Sequence, residues 1–247
     1  MNQIFGPARA VVHPRYAVLP PAGFVPSRLP GWEQARCQVM VSPALGARFF
    51  QMRISVPSEG LCEGNTGPNE YFIYLVEGSA SLHLQERRHR LETGSYVYVP
   101  PGLDLQLQGA GPASTVLVFQ KPYLALSGVA KPAARVGHER EAKAAPWPET
   151  ESVRCQSLLA DQPAFDLAVQ ILTFSPGAAW PVVYSGPMEQ SLTLLKGQGM
   201  FKLNENWHPS QAGDVIWVAP YCPHWFAAIG KEPACLIRCL EVNREPV

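Results

Sequence analysis

Short apolar runs, each closed by glycine or proline, recur along the chain. "YFIYLVEG" (71–78) and "SLTLLKG" (191–197) are apolar stretches ending at a glycine, where a positive φ costs little. "ASLHLQ" (80–85) and "GMFKLN" (199–204) alternate apolar and polar positions, the period of two expected of a half-buried strand. "GSYVYVPPG" (94–102) and "GDVIWVAP" (213–220) each join a glycine turn to a β-favouring run that stops at proline. The helical period is nearly absent. Strands at this spacing predict an all-β chain of small antiparallel barrels or jelly rolls.

The pattern occurs twice. Gly78 and Gly197, Gly94 and Gly213, Pro101 and Pro220, and Pro57 and Pro176 all stand 119 residues apart, as do Gly67-Pro68 and Gly186-Pro187. No gap is needed between 57–105 and 176–224. A shared set of turn residues in one register predicts an internal duplication, hence two tandem barrels. The expected division is an N-terminal arm (1–35), a first barrel (36–120), a linker (121–152) and a second barrel (153–247). The linker, rich in proline, alanine and charge, breaks the strand pattern, and its stretch "ARVGHEREAK" (134–143) reads as a solvated surface segment.

Composition narrows the classes. Hydrophobic residues make up 47% of the 247, enough for a core in each barrel. Lys plus Arg equals Asp plus Glu at 20 each, so there is no long-range pull toward nucleic acid or anionic lipid. No apolar window reaches the length of a membrane span, and the opening "MNQIFGPARAVV" lacks the pattern of a signal peptide. The six cysteines form no CxxC pair and read as reduced thiols of a cytoplasmic protein; Cys235 and Cys239 share one face of a strand as core residues.

Gly94, Pro100 and Gly102 resemble the second motif of the cupin superfamily, and Gly213, Ala219, Tyr221 and His224 keep its spacing. A closer likeness covers nearly the whole chain. "RAVVHPRYAVLPPAGFVPSRLPGWE" (9–33), "SPALGARF", "FDLAVQILTFSPGA", "LKGQGMFKLNENWHPSQAGD" and the closing "NRE" resemble the (S)-ureidoglycine aminohydrolase family, bicupins of allantoin catabolism. The resemblance implies two jelly-roll barrels, a homo-oligomer, and a manganese site in the second barrel. It implies hydrolysis of ureidoglycine to ureidoglycolate and ammonia. The family's metal ligands, a Glu, two His and a Gln, fall by register on Tyr184, Gly186, Gln190 and His224, and a late lysine near the substrate falls on Leu240.

The residue types at those positions change the expectation. Mn²⁺ is a hard ion that prefers carboxylate, carbonyl, water or imidazole donors. Here one imidazole, one amide and one phenol remain, with no carboxylate to offset the ion's charge. Alternation aims the adjacent Glu189 away from the side that Gln190 faces. Weak or absent metal binding is therefore expected, with no cofactor. In the first barrel the matching positions are Asn65, Gly67, Tyr71 and Leu105, and the inward set Tyr71, Ile73, Leu75 and Leu107 predicts a barrel filled by its own side chains.

In the second barrel, inward parity gathers Tyr184, Gln190, Leu192, His224 and Phe226, a mix of apolar walls and few polar tips suited to a small ligand. His224 is the candidate catalytic base or ligand donor; the plainer reading makes it a core or rim histidine with a hydrogen-bond partner. His83 and His89 flank a charged hairpin, and Trp180, Trp207, Trp217 and Trp225 fall in the second copy as pocket lining or packing. Two functions follow. One is a ureidoglycine aminohydrolase; the other is a non-catalytic bicupin that binds a small polar metabolite or acts as an oligomeric scaffold. The expected partners are a small molecule and further copies of the chain, with no nucleic acid and no membrane; self-association is expected through the arm and open sheet edges.

Overall fold

The computed structural model describes residues 9–32, 34–58 and 60–244. The first eight residues, where no signal peptide is expected, and Glu245 of the closing "NRE" lie outside the described residues. Strands dominate. In the first barrel the sheet runs Arg135–His138, Ser95–Val99, Asn69–Leu84, Asp104–Pro122, Phe50–Pro57 and Arg36–Val41. Leu61–Asn65 pairs with Asp104–Pro122, and Arg87–Glu92 with Asn69–Leu84.

The second barrel has an eight-stranded sheet and a three-stranded one. The larger runs Val11–His13, Tyr16–Leu19, Val215–Val218, Gln190–Lys196, Ala234–Glu241, Leu167–Phe174, Thr150–Leu159 and Ala144–Trp147. The smaller runs Asn206–Gln211, Gln198–Leu203 and His224–Ala228.

The duplication is visible in the backbone. Gly78 and Gly197 have φ of 90° and 83°. A Cβ would lie 2.5 Å from the Ala113 carbonyl oxygen at Gly78 and 2.6 Å from that of Pro233 at Gly197. Both positions therefore need glycine twice over, for the left-handed backbone and for the close approach of a neighbouring segment, although Gly78 sits at an irregularity within Asn69–Leu84 and Gly197 at the turn between Gln190–Lys196 and Gln198–Leu203. Gly102 has φ of 85°, and its counterpart Tyr221 adopts the same left-handed region at 57° without being glycine.

Two segments do more than their patterns announced. Tyr16–Leu19, in the arm, is buried throughout and pairs antiparallel with Val215–Val218, so it is part of the second barrel's larger sheet. Arg9 anchors it with an ion pair to Asp214 at 2.5 Å. In the linker, Arg135–His138 adds to the first barrel and Ala144–Trp147 to the second, so the stretch does not break the strand pattern as expected. Each is an edge strand of four residues held on one side by backbone hydrogen bonds, which require no apolar period.

Three apolar clusters form. One fills the first barrel and contains Ile73, Leu75, Leu105 and Leu107, with Tyr71 packed against it. One fills the second barrel with Leu172, Leu192, Phe201 and Phe226 among others. The third lies between the barrels, where Phe72, Tyr98 and Phe119 meet Ile171, Trp217, Ile237 and Cys239, with Cys235 packed alongside. That seam also buries charge: Lys121 pairs with Asp166 at 2.9 Å and Glu241 at 3.5 Å. None of the six cysteines forms a disulfide. No helix among the described residues is long and apolar enough to cross a membrane.

Candidate functional site

The site lies in the second barrel where three distant strands converge. Along Ala234–Glu241, alternation sends Ile237 and Cys239 into the seam between the barrels and Leu236, with its parity mates Arg238 and Leu240, toward the second barrel's interior. Antiparallel register sets Leu192 opposite Arg238 and Gln190 opposite Leu240. His224 opens the strand His224–Ala228 and is bridged to Tyr184, each backbone N–H donating to the other's carbonyl at 2.9 and 2.8 Å.

A chain of hydrogen bonds joins these elements. The Cys222 carbonyl lies 2.9 Å from His224 Nδ1 and can only accept, so Nδ1 carries the proton. His224 Nε2 in the neutral ring is then an acceptor, and Gln190 Nε2 donates to it at 2.8 Å. That orients the Gln190 amide with its Oε1 toward Arg238, whose Nε–H donates at 2.5 Å. Every orientation in the relay is set from its ends, the Cys222 carbonyl and the Arg238 guanidinium. Burial lowers the His224 pKa to about 4, against the carbonyl of Cys222 and with the help of the Arg238 charge, so the imidazole is neutral near pH 7.

Arg238 is half-buried, and burial draws its pKa down to about 10, which leaves it charged at neutral pH. It makes no ion pair among the described residues. Its Nη1 is 3.4 Å from Gln170 Oε1, and its Cζ lies 5.8 Å from the centre of the Trp147 ring. Trp147 in turn donates its indole N–H to the Tyr184 hydroxyl at 2.7 Å and meets that ring edge-on. Trp180 completes the aromatic wall, 6.3 Å from Trp147, 5.7 Å from Tyr184 and 5.8 Å from His224 between ring centres. Its own indole N–H is buried and meets no acceptor.

The residues marked by parity thus separate into two layers. Tyr184, Gln190 and His224 form the polar cluster, whereas Leu192 and Phe226 are fully buried in the apolar cluster beneath. Gly186 offers only its carbonyl, which accepts from the Tyr221 N–H at 2.6 Å; a Cβ there would meet nothing within 4 Å. Glu189 faces the seam, accepting from the Arg48 backbone N–H at 2.6 Å and from Trp217 Nε1 at 3.0 Å, and burial raises its pKa. His83 and His89 sit on an exposed hairpin turning at Gln85 and Glu86. The four tryptophans of the second copy part company: Trp180 lines the site, Trp217 lies in the seam, Trp207 is exposed, and Trp225 donates its N–H to the Trp180 carbonyl at 2.7 Å.

Sequence reasoning missed Arg238 and Trp147. The signal for Arg238 was a single cation inside the apolar run of the strand "ACLIRCLE", three residues before its closing Glu241. Trp147 carried none, because it lies in a segment read as linker.

This donor set does not fit a hard divalent ion. The Tyr184 oxygen holds the Trp147 N–H, the Gln190 oxygen holds Arg238, and the His224 Nε2 lone pair holds the Gln190 amide. A fixed positive charge sits against the cluster with no carboxylate to offset a second one. Among the described residues no group of three or more His, Cys, Asp or Glu side chains gathers as metal ligands.

Comparisons with known proteins agree on fold and ancestry. Residues 170–242 match the cupin domain family. The whole chain is 32% identical to the (S)-ureidoglycine aminohydrolase of Arabidopsis thaliana, covering 82% of that protein. It is 28% identical to the Escherichia coli protein of the same name over 96% of this chain and 92% of the relative. The crystal structure of the putative glyoxylate induced protein from Pseudomonas aeruginosa superimposes with a TM-score of 0.90 at 27% identity, over 99% of this chain and 94% of that one.

Proposed function

This chain belongs to the (S)-ureidoglycine aminohydrolase family, and on that premise we propose that its second barrel binds a small ureido-bearing metabolite of the ureidoglycine class without a metal ion. The observation that carries the reading is the relay from Arg238 through Gln190 to His224. It supports a site whose positive charge is supplied by the protein itself. The flat ureido group suits the aromatic wall of Trp147, Trp180 and Tyr184. The Tyr184 hydroxyl, whose oxygen accepts from Trp147, still has its own proton to donate to a ligand. His224 acts as a positioning residue that holds the Gln190 amide in place.

A second reading, catalysed release of ammonia from ureidoglycine, is favoured by likeness to relatives of that name along the whole chain. One experiment separates the two. Chelator-treated protein is given freshly generated ureidoglycine, with and without Mn²⁺, and ammonia is followed; binding of N-carbamoylglycine, a stable analogue lacking the amine, is measured by calorimetry. The proposed reading expects binding that ignores chelator and Mn²⁺, with ammonia released no faster than in buffer. Release that Mn²⁺ accelerates and His224→Ala abolishes would establish the second reading.

A further inference from the structure

We infer that Arg238 is the ligand's carboxylate receptor, standing in this barrel where a metal ion would otherwise supply positive charge. The inference rests on the proposed function only for the ureido half of the ligand; the carboxylate half stands on the geometry below.

A cation partly withdrawn from water is costly unless an anion or several acceptors face it. Arg238 has neither in full. Its Nε–H is spent on the neutral oxygen of Gln190, and the contact of Nη1 with Gln170 is long at 3.4 Å. No carboxylate pairs with it among the described residues, and Glu189, one residue from Gln190, is turned to Arg48 and Trp217 in the seam. Among the described residues Nη1 has only that long contact, and Nη2 has no hydrogen-bond or ion-pair partner. The Arg238 Cζ stands over the Trp147 ring, 5.8 Å from the ring centre, and Gln190 holds its Nε, so the group is tethered at two points.

A second, independent observation points the same way. The Trp180 indole N–H is buried without an acceptor, in a side chain 2% exposed, beside the same Trp147 and Tyr184 rings. A buried donor left unmade is itself unfavourable. The site therefore holds a fixed cation, an orphan donor and no acid. Its complement is an anion with several acceptor atoms, and a planar fork matches a carboxylate through two parallel hydrogen bonds.

Calorimetry on chelator-treated protein tests this with N-carbamoylglycine and its neutral amide. The acid should bind about tenfold or more tightly than the amide, the order expected of a charge-assisted pair. Arg238→Gln should erase that difference, and Arg238→Lys, which keeps the charge but loses the fork, should retain part of it. Equal affinity of the unmodified protein for acid and amide overturns the inference and leaves the proposed function standing, and it requires no variant to fold. Binding of the acid only when Mn²⁺ is present overturns it too, as does failure of every carboxylate to bind. If glycolate binds through Arg238 while N-carbamoylglycine does not, the inference stands and the proposed function falls.

Discussion

Arg238 donates its Nε–H to Gln190 Oε1 at 2.5 Å, and this one bond determines which way round the Gln190 amide lies. The amide nitrogen is thereby presented to His224 Nε2, and the imidazole is held as a neutral acceptor. Gln190→Glu reverses the second half of that arrangement. A carboxylate keeps the bond to Arg238 but has no proton for His224, so the ring must supply one. The His224 pKa, about 4 in the native protein, should climb by two units or more toward its ordinary value. Nitrogen-resolved NMR titration of the imidazole reads this directly; an unmoved pKa means that the relay does not set the tautomer.

Glu70 and Asp166 supply a prediction about stability and pH. Both are fully buried, Tyr98 donates to Glu70 Oε2 at 2.7 Å, and Glu70 Oε1 and Asp166 Oδ1 each lack a donor if both groups are ionised. A proton on Glu70 supplies the missing bond. Burial first, then the Asp166 hydrogen bond, raises the Glu70 pKa from 4.5 to about 9. The folded protein holds a proton that the unfolded chain releases, so this contribution is complete below pH 4.5 and is lost as pH rises toward about 9. Glu70→Gln keeps a donor toward Asp166 without titrating. Relative to the unmodified protein it should gain stability steadily from pH 5 to pH 9 in urea unfolding; a difference that does not vary with pH excludes a protonated Glu70.

Tyr221 is held at φ 57° where the first barrel has Gly102 at 85°. The residue is 61% exposed, so little packing offsets the left-handed backbone. Tyr221→Gly should stabilise the chain by about 1 kcal/mol. A loss of stability on denaturant unfolding would show that the tyrosine ring contributes more than its exposure indicates.

The clash between Arg238 and a metal can be tested by rebuilding the family's ligands. Gly186 has room for a side chain, since a Cβ there meets nothing within 4 Å. The variant Tyr184→Glu, Gly186→His, Gln190→His, His224→Gln should bind Mn²⁺ poorly while Arg238 remains. Adding Arg238→Leu should tighten binding by about a hundredfold, the order expected when one unit charge is removed from beside a partly buried ion. Metal content after dialysis measures it; equal content in the two variants would mean that Arg238 does not oppose the ion.

Much of the fold was legible in the chain because the repeat is carried by turns. Gly78 and Gly197 announce the same left-handed backbone at matching places in the two barrels, since no other residue fits that φ and that close approach of a neighbouring segment. Alternation placed Ile73, Leu75 and Leu107 in one core and turned Glu189 away from Gln190, because side chains on a strand must change sides at every residue. The strands Tyr16–Leu19, Arg135–His138 and Ala144–Trp147, the last two at sheet edges, were hidden for a different reason. Backbone hydrogen bonds hold such a strand whatever its side chains are, so partner choice leaves little trace in the pattern.

From its own residues, then, the sequence determined two duplicated barrels and the positions of their turns; the loss of the acid at a ligand position followed only from the family resemblance. The tertiary structure alone decided what fills that place. Arg238 and Gln190 are 48 positions apart, and Trp147 and Tyr184 are 37 apart, joined only by the register of strands from separate segments. Periodicity tells which side of a strand a residue takes. It does not tell which residues of other strands share that side, and the charge balance of the site is set by those meetings.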